Sequence, residues 1–227
     1  MANMPPPPHT SKEFDEELAA LAGRLVAMGQ RAEDQITLAV RALIDRDDRL
    51  ADEVIAGDAA INQDEREIDE QALQVLSRRQ PVASDLRFIT MCLKAVTDLE
   101  RIGDLAVNSA QRARELNRLP VDSQHLDLER HAAAVTRALR AAMASLVDRD
   151  AGAAERVIGD TAELDRGHAN VLAGLLAHVA TDPATIRWVM PLTSVCRYLG
   201  RMSDHIRSLA GEVIYMVTAE HVRHPET

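Results

Sequence analysis

Residues 84–110 read SDLRFITMCLKAVTDLERIGDLAVNSA, a helical rhythm of apolar residues interrupted by acids. Within it Leu86, Ile89, Leu93, Val96, Glu100, Gly103, Val107 and Ala110 recur in alternating steps of three and four, the spacing of a packed helical seam. Glu100 occupies a slot of that seam, lying between Val96 and Leu93 on a helical wheel, and Asp104 falls one turn on, at the edge of the same arc beside Leu86. Arg101 and Lys94 fall on the other side of the wheel. A buried lone carboxylate is costly, so each acid requires a cation, a hydrogen-bond donor or a proton held by a raised pKa.

Outward from this stretch, helix breakers are scarce. Four of the nine prolines stand at Pro5 to Pro8, and between His9 and His224 only Pro81, Pro120, Pro183 and Pro191 remain. Thr10 with Glu13 has capping-box spacing ahead of a run from Phe14 to Ile44, and Asp45 to Asp48 supply a polar turn before a second run that reaches Arg79 and is closed by Pro81. Ser84 is the expected cap of a third helix ending near Leu119 and Pro120. Asp122 or Ser123 is expected to start a fourth, running to about Val147, and a fifth reaches about Ala180. Asp182-Pro183 is a cap and first-turn pair for a sixth helix that continues to about Glu220, bent at Pro191. With one Trp, two Tyr and two Phe in 227 residues, and Ala, Leu, Arg, Glu and Asp dominant, composition also favours helices over sheets. The expected class is all-α, with six helices of about 45 Å each.

The chain repeats itself. Leu43-Ile44-Asp45-Arg46-Asp47 is echoed by Leu146-Val147-Asp148-Arg149-Asp150, and Val54-Ile55 by Val157-Ile158 at the same offset. Arg87, Leu99, Arg101, Asp104 and Ala110 recur as Arg187, Leu199, Arg201, Asp204 and Ala210, with Trp188 in the place of Phe88. This reads as two tandem three-helix bundles, residues 12–120 and 121–220, behind a disordered Pro-rich leader over 1–11 and ahead of a tail over 221–227.

The net charge of -10 repels a phosphate backbone, which argues against a nucleic-acid partner. No window approaches the roughly 18 apolar residues of a membrane span, and the start carries no cationic apolar signal, so the chain reads as cytoplasmic without direct membrane insertion. Cys92 and Cys196 lie in helical patterns without C-x-x-C spacing and read as small core residues.

The second helix repeats the oddity of the third. Val54, Asp58, Ile61, Glu65, Ile68, Ala72 and Val75 keep one rhythm and place Asp58 and Glu65 in the seam. Oxygen ligands from two neighbouring helices, Glu100, Asp104, Asp58 and Glu65, would suit Mg²⁺, Mn²⁺, Zn²⁺ or iron with water completing the shell. A solvated acidic groove is the alternative, since bundle seams are only partly buried.

Asp98-Leu99-Glu100-Arg101-Ile102-Gly103-Asp104 followed by Ala106-Val107-Asn108 closely resembles the signature of the PhoU family of phosphate-uptake regulators. Around it stand residues 79–87, RQPVASDLR, and in the second half Arg197-Tyr198-Leu199, Arg201, Asp204-His205 and residues 212–215, EVIY. The resemblance covers about Phe14 to Glu220. It implies duplicated three-helix bundles whose E-x-x-x-D or D-x-x-x-D motifs bind metal. It also implies restraint of the phosphate-starvation response between the ATPase subunit of the high-affinity phosphate ABC transporter and the phosphate sensor histidine kinase, and a homodimer. The second motif departs from the pattern: Gly200 stands where an acid should precede Asp204. Asp160, Asp165 and His168 of the fifth helix are the remaining candidates there, His168 matching Glu65, so a second metal site with Asp204 is expected to be weaker or absent. Two other classes stay in view: a helical adaptor without metal, and a di-metal carboxylate enzyme. The latter needs Glu-x-x-His pairs that the sequence lacks, and no nucleophile-base set or Gly-rich phosphate loop is present.

Overall fold

The computed structural model describes residues 12–79, 81–119 and 126–220. Their order is α1 (Lys12–Ile44), α2 (Asp48–Arg78), α3 (Ala83–Asn117), α4 (Leu126–Asp148), α5 (Ala151–Thr181), a 3-10 turn (Pro183–Thr185) and α6 (Ile186–Thr218), with no strand among the described residues. The protein is all-α, and α1 to α3 and α4 to α6 form two three-helix halves. The capping box at Thr10, the fourth-helix start at Asp122 or Ser123, the boundary at Pro120, the leader and the tail lie outside the described residues.

The internal repeat is legible in the backbone. Arg46 and Arg149 both take a left-handed φ, 53° and 51°. Each is followed by an extended Asp that caps the next helix: Asp47 accepts from the Arg49 N–H and Asp150 from the Ala153 N–H. The aspartate oxygens satisfy N–H groups that the first turn leaves without intrahelical partners. Two local expectations need correction. Ser84 does not cap α3, because the helix starts one residue earlier with Val82 at the cap position and no side-chain cap bond. Asp182 caps the 3-10 turn, accepting from the Ala184 N–H, and α6 begins only after that turn.

The core runs through both halves. α3 packs not only on α1 and α2 but along α6, and α1 packs on α4. The buried set of α3 is therefore wider than one seam: Phe88, Cys92, Ala95, Leu99, Ile102 and Ala106 are buried as well as Ile89 and Val96. Leu86, expected in the seam, is 44% exposed, and Glu100 stands at the arc's edge rather than its middle. The α2–α3 contact is close enough that a Cβ on Gly103 would come within 2.9 Å of the Ile61 Cδ1 atom. Polar contacts join the halves as well. The Lys94 ammonium donates to both Glu212 oxygens at 2.9 and 3.0 Å, and the His205 Nδ1 lies 2.9 Å from an Asp98 oxygen.

Candidate metal centre

In the first half, α2 packs on both α1 and α3 with Val54, Ile61, Ile68, Ala72 and Val75 buried, and Ile61 meets Gly103 of α3. The same rhythm carries Asp58 and Glu65, but they stand half-buried at the border of the seam rather than within it. Glu100 projects from α3 with only 14% of its side chain exposed, and its Oε2 is buried without a hydrogen-bond partner. Burial first, then the negative charge of Asp104, raises the Glu100 pKa from its ordinary value. Glu65 and a hydrogen bond with Asp104 push the same way, and the Arg101 guanidinium opposes them. Asp104 and Glu65 thus stand close enough to Glu100 to disfavour its charge.

Arg101 corrects the wheel reading. It does not point away from the acids: its guanidinium folds back to lie 3.3 Å from the Glu100 Oε2 and donates to Asp104 at 3.2 Å. The stem of an arginine is long enough to carry the charged head around the helix to the nearest anions. Its side chain is 55% exposed, so its attraction for Glu100 is screened and leaves the pKa raised. Asp58 is held differently, accepting a hydrogen bond from the Asn62 amide at 2.8 Å. Among the described residues no three His, Cys, Asp or Glu side chains already converge as a complete ligand set. The fit to a cation therefore rests on the Glu100 Oε2, which is buried and accepts no hydrogen bond, and on the charge balance beside it: the carboxylates of Glu100, Asp104 and Glu65 face the single guanidinium of Arg101, at a border open to water.

The second half is built differently at each matching place. His168, in the position of Glu65, turns its ring over the bare Cα of Gly200, where an added Cβ would meet Nδ1 at 3.1 Å. Its Nδ1 lies 3.1 Å from the Cys196 carbonyl and 3.3 Å from the Cys196 thiol. The missing motif acid is thus the space that seats a histidine. Asp165 and Asp204 are brought together, but by Arg207, which donates to both. Asp160 is exposed and His168 faces Cys196, so neither joins the Asp165 and Asp204 pair in this arrangement.

His131 on α4 is a buried histidine that the sequence reading did not single out. It is 4% exposed, its Nε2 has no hydrogen-bond partner, and its ring centroid lies 6.1 Å from that of His168. Burial, aided by His168 and opposed by Asp165, lowers its pKa to about 4. Its place in the repeat carries no motif, so no local signal marked it.

A duplicated three-helix fold with an acid-bearing motif on one half defines the class: a helical-bundle protein with paired, non-identical repeats. The PhoU domain model matches residues 25–113 and again 128–213, and the chain belongs to the PhoU family. It is 39% identical over 222 residues to a "Phosphate-specific transport system accessory protein PhoU homolog" of Pseudomonas aeruginosa, covering 95% of this chain and 90% of that relative. The accessory protein PhoU of Serratia marcescens is 30% identical over 220 residues, covering 95% and 89%. The crystal structure of PhoU from P. aeruginosa superposes with a TM-score of 0.87 at 38% identity, covering 91% of this chain and all of that one. The phosphate transport system regulatory protein PhoU from Streptococcus pneumoniae shares the fold, with a TM-score of 0.86 at 23% identity, covering 93% of this chain and 100% of that one. Relatives named as accessory proteins of phosphate transport support a regulatory role in that process. Among the described residues no helix is long and apolar enough to cross a membrane.

Proposed function

We propose that this chain is a non-enzymatic, cytoplasmic regulator that binds a divalent or trivalent cation on its first half and restrains the high-affinity phosphate ABC transporter and its two-component signalling system. The partners in this reading are the transporter's ATPase subunit and the sensor histidine kinase. The phosphate assignment is supported by similarity, over 95% of this chain, to relatives named phosphate-specific transport system accessory proteins. The cation is supported by the Glu100 carboxylate, whose Oε2 is buried without a hydrogen-bond partner and faces only the Arg101 guanidinium, and whose pKa is raised beside Asp104 and Glu65. Those residues would hold the ion by their oxygens, and the ion would supply the positive charge that Arg101 supplies only partly.

Deletion of the gene should raise expression of phosphate-starvation genes in phosphate-replete medium, and the intact gene should restore repression. Tagged protein should capture the ATPase subunit or the kinase. Unchanged reporter expression on deletion, with neither partner captured, would overturn the proposal. A metal-free helical adaptor is the second reading, favoured by the proximity of Arg101 to both acids; it predicts the same repression from a Glu100→Gln, Asp104→Asn protein.

A further inference from the structure

The repeat sets a direct comparison between the halves. At the offset of 103 residues that relates Leu43 to Leu146, Asp58, Asn62 and Glu65 correspond to Thr161, Asp165 and His168; at the offset of 100 that relates Leu99 to Leu199, Glu100, Asp104 and Val107 correspond to Gly200, Asp204 and Arg207. In the first half the α2–α3 border holds acids and Val107. In the second half the place of Val107 is taken by an arginine, and its guanidinium is held by oxygens from both helices. Arg207 Nε donates to the Thr161 hydroxyl at 3.0 Å, one terminal nitrogen to Asp204 at 2.9 Å and the other to Asp165 at 3.1 Å. Its side chain is 24% exposed, whereas the two aspartates it joins are 63% and 66% exposed.

We infer that Arg207 is the resident cation of the second half: its guanidinium occupies the position, between Thr161 and Asp165 of α5 and Asp204 of α6, that a divalent cation would otherwise take. Three donors of one planar fork span three oxygens on two helices, which is the charge-neutralising and cross-linking task of a metal ion done by a covalently attached group. Gly200 and His168 fit this reading. With the motif acid replaced by glycine and the Glu65 position by a histidine turned toward Cys196, two carboxylates remain, and one guanidinium with its hydrogen bonds serves them. The two halves therefore differ: in the first, Arg101 contacts only the two acids of its own helix, Glu100 and Asp104, whereas in the second Arg207 bridges both helices, so only the first should respond to added cation. The inference concerns the second half and rests on the proposed function only for that contrast.

The test uses the full chain carrying Glu100→Gln and Asp104→Asn, so that the first half contributes nothing, with and without Arg207→Gln, and Mn²⁺ as the probe. Without Arg207→Gln, Mn²⁺ should change neither the melting temperature nor the bound metal per chain. With it, Asp165 and Asp204 lose their counter-charge, so Mn²⁺ should raise the melting temperature by several degrees and bind at least about tenfold more tightly. Arg207→Lys, which keeps a positive charge, should remain insensitive to Mn²⁺. Equal Mn²⁺ binding with and without Arg207→Gln would overturn the inference. Should Arg207→Gln fail to fold, Asp204→Asn in the same background gives the answer: unchanged Mn²⁺ binding supports the inference, and a drop in binding overturns it because metal would then be held with Arg207 in place. Failure of the first-half reading shows separately, as equal Mn²⁺ binding by the parent and by the Glu100→Gln, Asp104→Asn chain.

Discussion

Glu100 links the sequence rhythm to a measurable charge state. Its raised pKa means that the folded chain holds a proton there more tightly than the unfolded chain does. Ionisation therefore costs stability, the cost being present above the folded pKa and disappearing as pH falls through it toward the unfolded value. Glu100→Gln should raise the melting temperature of the metal-stripped protein at neutral pH and should flatten its pH dependence in the mildly acidic range. With metal the proposed site predicts the opposite, since a cation bound there would compete with the proton for the same oxygens. Metal affinity of the parent should fall as pH drops through the raised pKa, read by calorimetric titration at several pH values.

His131 has the opposite sign. Its pKa of about 4 in the fold lies below the ordinary histidine value, so the unfolded chain takes up the proton first as pH falls. The stability it contributes is complete above the unfolded pKa and is lost progressively down to pH 4. At pH 5 the loss is about 2 kcal/mol for a shift from about 6.5 to about 4. His131→Leu should narrow the gap between the melting temperatures at pH 7 and pH 5, and an unchanged gap would remove His131 as an acid-sensitive group. Neither its burial nor the Arg101 fold-back was legible in the sequence. Periodicity marks the direction in which a Cβ points, whereas a long side chain chooses its partner in three dimensions. Glu100 was legible because an acid in a seam of Ile, Val and Gly breaks a pattern that is otherwise unbroken.

At the scale of elements, the two αα turns look alike and act differently. Arg46 donates from its left-handed position to the carbonyls of Leu116, Asn117 and Leu119, closing the C-terminal end of α3. Arg149, its repeat partner, instead lies over the Phe88 ring with 5.4 Å between guanidinium carbon and centroid, and the Met216 carbonyl near the end of α6 accepts from Arg87. Arg46→Asn keeps a residue that tolerates the left-handed backbone while losing the carbonyl bonds, so it should cost about 1–2 kcal/mol in urea unfolding. Arg149→Asn should cost less, about 0.5–1 kcal/mol, the worth of an exposed cation–π contact. A larger cost at Arg149 would show that the repeat conserves the role as well as the conformation. The helix runs and the asymmetry at Gly200 could be read from the residues, but what fills the space above Gly200 could not. Only the fold shows that α5 delivers His168 there, and that α5 and α6 offer Arg207 three oxygens.

Across the whole molecule, the apolar pattern of α3 defined a buried face without saying which helix would cover it, and the packing of α3 on α6 emerged only in three dimensions. One core then passes through both halves, so they should unfold together. Trp188, the sole tryptophan, sits at the start of α6 and reports the second half, while far-ultraviolet circular dichroism reports all the helices. Their denaturation curves should coincide, and a circular dichroism transition without a matching fluorescence change would show two independent halves.

In the proposed reading the first half takes up a cation and the second carries its own in Arg207, and metal analysis of untagged protein prepared without chelator separates the two. The parent should retain bound metal that is lost from the Glu100→Gln, Asp104→Asn protein, while Asp204→Asn should leave the metal content unchanged. Equal metal in the parent and the double variant, or loss of metal on Asp204→Asn, would contradict it.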